Sequence, residues 1–380
     1  MLDPISYLKT LQDSGVTFFT GVPDSLLKEI CSCITETVNQ DNHVIAANEG
    51  AALGLSIGNY IGTGKLSLVY MQNSGLGNIV NPLLSLASPA VYGVPMLLMI
   101  GWRGEPGRED EPQHVHQGRV MVSMLEAMDV PVIILSENPI EANQQTKAAA
   151  TQAHDIKGPV ALVVRRGTFN KFKGGSQTSS DLQMCREEAI TTAARLLEDD
   201  AAVICTTGMA SRELFEFRAR ADVGHQRDFL TVGGMGHANQ IALGLALARP
   251  DCSVYCFDGD GAALMHMGSM AIIGQSGCAN LFHLIFNNGV HGSVGGQPTV
   301  CFSIDIPGIA IACGYASAER VETHEALVNS MSNARTKKGP TLIEVRVRPE
   351  NRKEIGRPTT KPVENKLALM EFLRGQYSHG

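Results

Sequence analysis

Two apolar segments that each end in small, polar residues constrain the fold of this chain more than any other feature. Residues 254–257 (VYCF) lead into DGDG at 258–261, and residues 284–286 (LIF) lead into NNG at 287–289. Short apolar runs that stop at glycine are typical of buried strands. The carboxyl ends of parallel strands point into one crevice. We therefore expect Asp260 and Asn288 to lie close together at one edge of a sheet.

The residue types at these two strand ends suit a hard cation and a phosphate. Asp260 and Asn288 offer oxygen ligands, which Mg²⁺ prefers over the ligands of soft transition metals. Gly259 and Gly261 let the backbone approach a phosphate closely, and a helix beginning near Ala262 would direct its N-terminus there. The sequence therefore predicts a metal bound to a diphosphate.

The spacing of the two motifs resembles a family signature. GDG, then 25 residues, then NN is similar to the cofactor motif of thiamine diphosphate enzymes. The resemblance implies that Asp260, Asn288 and the backbone carbonyl of Val290 hold Mg²⁺. It also implies that Glu49 hydrogen-bonds the aminopyrimidine ring of thiamine diphosphate, and that Met235 supports the bent cofactor. The full set of cofactor-binding residues implied is Glu49, Thr207, Gly208, Gly234, Met235, Gly236, Gly259, Asp260, Gly261, Ala262, Asn288 and Val290.

Strand and helix patterns alternate through both halves of the chain, which predicts parallel sheets covered on both faces. We expect an α/β protein with two doubly wound parallel-sheet domains of the thiamine diphosphate-binding type. Residues 1–170 form the predicted pyrimidine-binding domain, 171–183 a linker with Gly and Ser/Thr composition, and 184–380 the diphosphate-binding domain. Large members of the family carry a central third domain, which has no counterpart here.

Several segments of the first half resemble one branch of that family, the decarboxylases of phosphonopyruvate, with the sulfopyruvate decarboxylases as near relatives. These segments are GVPDSLLKE at 21–29, QNSGLGN at 72–78, GWRGEPG at 101–107 and DEPQHVHQG at 110–118. The resemblance implies decarboxylation of phosphonopyruvate to phosphonoacetaldehyde. Sulfopyruvate as substrate, a carboligase, and a catalytically silent cofactor-binding regulator are the alternatives. An intact metal motif together with Glu49 argues against the silent regulator.

The same segments supply candidate substrate ligands. Arg103 could bind a phosphonate with its planar fork. Ser25, Gln72 and Asn73 could donate hydrogen bonds, although Asp24 or Ser25 could equally be an ordinary helix cap.

Three histidines are candidate proton donors because their ordinary pKa lies near neutrality. His114 and His116 fall in a polar, Gly-rich stretch, 105–118, that we expect to be a loop, and His291 follows the NN motif. His114, His291 and Glu49 are the predicted catalytic residues, with His114 also expected to bind substrate. Pyruvate-type decarboxylases carry an acid a few residues after NN, but residues 292–295 are GSVG. The resemblance therefore does not supply the proton relay of those enzymes here, and His291 or a water molecule could act instead.

Composition restricts the partners. The formal net charge of −7 favours neither nucleic acid nor an anionic membrane. Nine scattered cysteines without zinc spacing suggest reduced thiols in a cytoplasmic protein, as does the absence of a signal-peptide pattern. The resemblance implies a homodimer or higher homo-oligomer with the cofactor at the subunit interface, while pairing of the two domains within one chain remains open.

Overall fold

The protein is described by a computed structural model that covers residues 1–174, 180–350, 352 and 354–375. The chain forms two compact units, Met1–Gln177 and Thr178–Gly380. Residues 175–179 of the predicted linker, 171–183, lie outside the described residues. The predicted domain limits at 170 and 184 remain predictions.

The first unit is a six-stranded parallel sheet with helices on both faces. Its strands are β1 (Val16–Gly21), β2 (His43–Ile45), β3 (Leu66–Gln72), β4 (Met96–Gly101), β5 (Val132–Ile134) and β6 (Pro159–Val164). Its helices are α1 (Pro4–Asp13), α2 (Lys28–Thr37), α3 (Glu49–Thr63), α4 (Leu76–Pro82), α5 (Pro112–Ala127) and α6 (Pro139–Ile156). The strand order is β2-β1-β3-β4-β6-β5.

Side-chain alternation along the strands explains why this sheet is covered twice. Leu68 and Tyr70 of β3 pack with α1, α2 and α6, whereas Val69 and Met71 pack with α3, α4 and α5. A strand whose residues are apolar on both faces must bury both, and only helices on each side accomplish that. The predicted α/β class with a doubly wound sheet is confirmed.

The second unit repeats this architecture. Its strands are β7 (Ala202–Cys205), β8 (Asp228–Leu230), β9 (Val254–Gly259), β10 (Leu281–Asn287), β11 (Ser317–Val321) and β12 (Thr341–Arg346). Its helices are α7 (Arg186–Arg195), α8 (Met209–Ala221), α9 (Ala238–Ala248), α10 (Asp260–Met265), α11 (Ser269–Ser276), α12 (Ile306–Cys313), α13 (His324–Ala334) and α14 (Pro362–Gly375).

The two sheets share one topology. The second sheet has the order β8-β7-β9-β10-β12-β11, which matches the first strand for strand. In both sheets the order therefore reverses between the first and third strands of the unit. Ligand sites of open parallel sheets lie at the carboxyl ends of strands flanking such a reversal. The topology thus marks the ends of β1 and β3, and of β7 and β9.

The structure corrects one element that bears on the site. Residues 105–118 are not a continuous loop, because α5 begins at Pro112 and carries both His114 and His116. Proline is well suited to the first turn of a helix, where its missing N–H is not needed. Gly118 favours a loop in the sequence pattern, but its role here is steric. Because it has no side chain, the backbone of Gly104 can approach closely: a β-carbon at position 118 would lie 1.8 Å from the Gly104 carbonyl oxygen.

Other differences are smaller. The sequence interpretation did not assign α4, α11, α12 or β11. Helices α11 and α12 are apolar around most of their circumference, so they lack the polar and apolar periodicity that identifies a surface helix.

The cysteines agree with the expectation of reduced thiols. All nine are free; Cys185 and Cys313 are partly exposed and the others are buried. Among the described residues, no helix combines the length and the apolar composition needed to cross a bilayer.

Candidate functional site

The ends of β9 and β10 bring the two sequence motifs together, as expected. The strands are hydrogen-bonded neighbours with Phe286 opposite Gly259, so the segments that follow them leave the sheet side by side. Asp260 is the first residue of α10, and Asn288 comes directly after β10. Their side chains are buried, with 4% and 2% exposure.

The carboxylate of Asp260 is buried at the start of α10. Burial raises the pKa of Asp260 to about 6, against the opposing effect of a hydrogen bond from Thr299. The Thr299 hydroxyl donates to Oδ2 of Asp260 at 2.5 Å. In the part of the chain that the structure describes, no arginine or lysine forms an ion pair with this carboxylate. A bound cation would remove the cost of burying its charge.

Asn288 and Val290 add oxygen atoms beside this carboxylate. Oδ1 of Asn288 accepts a hydrogen bond from the Val290 N–H at 3.2 Å, and the Val290 carbonyl accepts one from Gly292 at 2.9 Å. The buried Nδ2 of Asn288 has no hydrogen-bond partner within the described ranges. A carboxylate, an amide oxygen and a carbonyl form a donor set that suits Mg²⁺. The residues present therefore fit the metal that the sequence predicts.

Met235, Gly261 and His291 meet at the start of α10. A β-carbon on Gly261 would lie 3.2 Å from Nδ1 of His291 and 3.3 Å from Cε of Met235, so glycine is needed for this close approach. Gly234 and Gly236, on either side of Met235, have φ angles of 63° and 87°, in the left-handed region that favours glycine. The sequence thus places Met235 at the tip of a tight, glycine-bounded turn.

The other predicted diphosphate contacts lie at the neighbouring strand ends. Thr207 and Gly208 follow β7, and Gly208 has a φ of 95°. Ala262 is buried in the first turn of α10, next to Gly261. The predicted cofactor residues of the second unit thus gather around the reversal between β7 and β9.

Glu49 lies at the corresponding edge of the first unit. It is the first residue of α3, which is capped by the side chain of Asn48. The Glu49 side chain is buried, and its Oε2 accepts a hydrogen bond from Nδ2 of Asn78 at 2.6 Å. A β-carbon on Gly75 would lie 2.5 Å from Oε1 of Glu49. Segment 72–78 carries part of the family resemblance, but the sequence gives no sign of its contact with Glu49.

Arg103 is held by a carboxylate that sequence reasoning did not include. Its Nε donates to Oδ2 of Asp110 at 2.8 Å, and its Nη2 donates to Oδ1 of the same residue. Its Nη1 donates to the Ser25 hydroxyl oxygen at 3.0 Å. Burial alone would raise the pKa of Asp110, but hydrogen bonds from Arg103 and the Gly104 N–H lower it to about 2. Arg103 is therefore fixed in orientation, and part of its charge is balanced.

The two predicted ligands at the end of β3, Gln72 and Asn73, already have protein partners. Asn73 donates from Nδ2 to the Arg103 carbonyl at 2.7 Å and accepts from the Arg103 N–H at 3.2 Å, so its amide holds the backbone of Arg103. Gln72 donates from Nε2 to Oδ1 of the buried Asp24 at 2.7 Å and accepts from the Ser74 hydroxyl. These contacts link the ends of β1, β3 and β4 into one polar cluster.

The N-cap residue of α2 is Leu27 and has no side-chain hydrogen bond, whereas Asp24 caps the turn before this helix. Its Oδ2 accepts from the N–H groups of Leu26 and Leu27 at 2.9 and 3.3 Å, so Asp24 caps this turn. Burial raises the pKa of Asp24, which its hydrogen bonds and Arg103 partly oppose. Ser25 carries no such capping bond and instead contacts Arg103.

The three candidate histidines have different environments. His116 is exposed and contacts Arg119. His114 is half-buried, and both burial and the Arg103 charge lower its pKa. Burial lowers the pKa of His291 to about 4, so its imidazole is neutral at neutral pH. Two further histidines, His237 and His266, stack beside Gly236 with their ring centroids 4.5 Å apart. The sequence does not identify this pair.

Comparisons with known proteins agree with this arrangement. Residues 6–126 match the family described as "Thiamine pyrophosphate enzyme, N-terminal TPP binding domain", and residues 206–345 match "Thiamine pyrophosphate enzyme, C-terminal TPP binding domain". A phosphonopyruvate decarboxylase of Streptomyces viridochromogenes is 33% identical over 96% of this chain and 93% of its own. One of Streptomyces hygroscopicus is 33% identical over 98% of this chain and 94% of its own. A sulfopyruvate decarboxylase of Methanosarcina acetivorans is 26% identical over 90% of this chain and 91% of its own.

The contact between Gly75 and Glu49 gives a direct test of the Glu49 position. In Gly75→Ala the new methyl group should displace the flexible Glu49 side chain without unfolding the protein. Misplacing a reacting group by about 1 Å can cost about a hundredfold in rate. We expect a loss of that order in hydrogen–deuterium exchange at the thiazolium carbon of added thiamine diphosphate. Gly77→Ala is the matched control, since a β-carbon there meets nothing within 4 Å. Equal exchange rates in the two variants would contradict the assignment.

Proposed function

This chain belongs to the family of thiamine pyrophosphate enzymes, and we propose that it decarboxylates 3-phosphonopyruvate to phosphonoacetaldehyde and carbon dioxide. The observation that carries the proposal is the 33% identity to phosphonopyruvate decarboxylases over nearly the whole chain. The polar cluster around Arg103 supports it, because a phosphonate needs an oriented cation and hydrogen-bond donors.

The cofactor pair for this reaction is thiamine diphosphate with Mg²⁺. Asp260, Asn288 and the Val290 carbonyl would hold the metal, and the glycines around Met235 and at 259 and 261 would leave room for the cofactor. When bound, thiamine diphosphate supplies the electron sink for loss of carbon dioxide from a 2-oxo acid. Glu49 provides a carboxyl group that can exchange a proton with the aminopyrimidine ring, and Asn78 fixes the orientation of that carboxyl.

Arg103 and Ser25 are the proposed phosphonate ligands. A guanidinium has five N–H donors, and the contacts to Asp110 and Ser25 use three of them. Two donors therefore remain for the substrate in a fixed geometry. The Ser25 oxygen accepts from Arg103, which directs the hydroxyl hydrogen elsewhere and makes it available to an anionic oxygen. Asn73 and Gln72 act through Arg103 and Asp24, and we reassign them as positioning residues.

Proton delivery is assigned to His114 in preference to His291. A proton donor near neutral pH needs a pKa close to that pH. The low pKa of His291 leaves only the weakly acidic N–H of a neutral imidazole. His114 lies on α5 within the electrostatic reach of Arg103 and Asp110, so a dianionic substrate bound at Arg103 would raise its pKa again.

The substrate assay tests the proposal and separates it from its alternatives. We expect the purified protein with thiamine diphosphate and Mg²⁺ to release carbon dioxide and form phosphonoacetaldehyde from 3-phosphonopyruvate. Sulfopyruvate is the second candidate, since a sulfopyruvate decarboxylase is also similar over most of the chain. Preferential turnover of sulfopyruvate would replace the proposed substrate. A carboligase would instead join the decarboxylated unit to an added aldehyde. A product of that kind, with little phosphonoacetaldehyde released, would indicate this activity.

Arg103→Lys tests recognition of the phosphonate. Lysine keeps the charge but loses the planar fork, which removes the bidentate contact to Asp110 and the fixed donors. We expect KM for phosphonopyruvate to rise about tenfold, the value of one charge-assisted hydrogen bond, with pyruvate turnover changed far less. Arg108→Lys is the control, because Arg108 is half exposed and pairs with Glu105. The same KM in both variants would move the phosphonate site away from Arg103.

We also propose that the active assembly is a homodimer, or a higher homo-oligomer, with each cofactor bound between subunits. Glu49 lies in the first unit and Asp260 in the second, and one cofactor must contact both. The chain exposes large apolar side chains on helices, including Ile61 of α3 and Ile272 of α11, which are 77% and 62% exposed. Gly54, Gly58 and Gly62 of α3 have open space around them. Such helices are suited to packing against another copy.

Mixing two inactive variants tests this assembly. Glu49→Gln removes the proton-exchanging carboxyl, and Asp260→Ala removes a metal ligand. If sites form between subunits, a hybrid dimer contains one intact site and one doubly altered site. Co-refolding equal amounts should restore about a quarter of wild-type activity, because half of the dimers are hybrids with one intact site each. Hybrid dimers without activity would indicate sites built within single chains.

A reducing, cytoplasmic location is the last part of the proposal. The nine free cysteines support it, since an oxidising compartment favours disulfides.

A further inference from the structure

A buried chain of hydrogen bonds runs through the second unit and ends at the turn that carries Asp260. The Tyr315 hydroxyl lies 3.2 Å from Nδ1 of His283, and Nε2 of His283 lies 3.3 Å from Oδ2 of Asp258. Oδ1 of Asp258 accepts from the Gly259 N–H at 2.9 Å. Asp258 and His283 are fully buried and Tyr315 is 4% exposed.

The hydrogen-bonding capacities of these groups give the chain a direction. A carboxylate can only accept, so Asp258 receives hydrogen bonds both from the Gly259 N–H and from Nε2 of His283. A neutral imidazole protonated on Nε2 has an acceptor at Nδ1, which the Tyr315 hydroxyl can satisfy. Each link is thus compatible with the next.

The position of the chain in the sheet explains what it can control. Asp258 is on β9 beside Ile285 of β10, and His283 is opposite Cys256, so the polar side chains share one face of two central strands. Asp258 precedes Gly259, the last residue of β9, and α10 then begins at Asp260. The Asp258 carboxylate therefore fixes the peptide group between Asp258 and Gly259, one residue before the Asp260 that we propose as a metal ligand.

Burying three polar side chains inside an apolar cluster costs free energy unless all are hydrogen-bonded. Apolar residues at these positions would avoid that cost, but they could not hold the Gly259 N–H.

We propose that Asp258, His283 and Tyr315 are positioning residues that preset the Gly259–Asp260 turn for the metal and diphosphate. This inference rests on the proposed function, because it assigns Asp260 to Mg²⁺. The three residues touch neither substrate nor metal. They act through the Gly259 backbone, so their loss weakens metal–cofactor binding while the sheet around them stays folded.

The same side chains offer a competing interpretation as a second metal site. Cys256 joins Asp258 and His283 in a group whose ligand atoms lie within 4.8 Å of one another. We favour the hydrogen-bonded chain because Nε2 of His283 and Oδ2 of Asp258 already contact each other. His283 also uses its other nitrogen on Tyr315. A metal here would require Cys256, whereas the hydrogen-bonded chain does not.

Four variants test the proposal. Asp258→Ala removes the acceptor for Gly259, while Asp258→Asn keeps an amide oxygen there and allows His283 to reverse its hydrogen bonds. Tyr315→Phe breaks the distant end of the chain and preserves the ring. Cys256→Ser is the matched control, since it lies on the same face but makes no link in the chain. Calorimetry measures the affinity for Mg²⁺ with thiamine diphosphate, and amide hydrogen exchange at Gly259 is measured without cofactor.

Loss of an outer-shell partner typically lowers metal affinity tenfold or more. We expect about a tenfold loss for Asp258→Ala, and about a threefold loss for Tyr315→Phe, the value of a modest hydrogen bond. Asp258→Asn should largely restore the affinity, and Cys256→Ser should match wild type. Gly259 exchange should accelerate in the same order. This pattern distinguishes positioning from general destabilisation, which the conservative Asn would not reverse.

Three results would overturn the proposal. Wild-type affinity and Gly259 exchange in Tyr315→Phe would do so even if Asp258→Ala failed to fold. One bound transition metal per chain in the purified protein, lost in Cys256→Ser, would establish the metal interpretation instead. Equal metal–cofactor affinity in Asp258→Ala and Asp258→Asn would show that the hydrogen bond to the Gly259 N–H does not determine this affinity. Wild-type protein that binds no thiamine diphosphate would refute the proposed function, while the Gly259 exchange rates would still decide whether the chain holds the turn.

Discussion

The buried carboxylate of Asp260 is the constraint on which the second unit depends. A carboxylate at 4% exposure, with a hydrogen bond from a threonine hydroxyl and no ion pair among the described residues, is costly to ionise. Its raised pKa expresses that cost. A bound cation would offset the cost of ionising Asp260. The end of β9 is therefore suited to a metal ion. Parallel pairing of β9 with β10 then brings Asn288 to the same edge and completes the oxygen set.

Close approach across glycine is the matching constraint in both units. Gly75 admits the Glu49 side chain, and Gly261 admits His291 and Met235. These glycines are not hinges, since their role is to leave out a β-carbon where another side chain must pass. In each unit, a β-carbon at the glycine would crowd the side chain that passes over it. The repeated strand order explains how one topology offers two such edges.

The sequence was sufficient for the strands other than β11 and for the residues that follow those strands. Apolar runs such as VYCF fix a strand, and the residue after the run fixes what lies at its carboxyl end, so Asp260, Asn288 and Arg103 could be predicted. Contacts between segments that are distant in the sequence could not be predicted. Thr299, Asn78 and Asp110 each lie on a segment with no strand signal, and each finds its partner only when the elements pack. The start of α5 could not be predicted because glycine is typical of loops. Gly118 lies within the helix, where it allows a close contact with the backbone of Gly104.

The bracing of Arg103 by Asp110 changes what kind of recognition the first unit can offer. An unpaired arginine would attract any anion, and its long side chain would have to be ordered when the anion binds. Here the ordering occurs during folding, because Asp110 and the Asn73 amide fix both ends of the residue. The cost is a smaller net positive charge, made smaller still by the nearby Asp24. In the phosphonate site that we propose, recognition would depend on two directed N–H donors and the Ser25 hydroxyl rather than on charge alone. A tetrahedral anion has enough acceptor oxygens to satisfy those donors together.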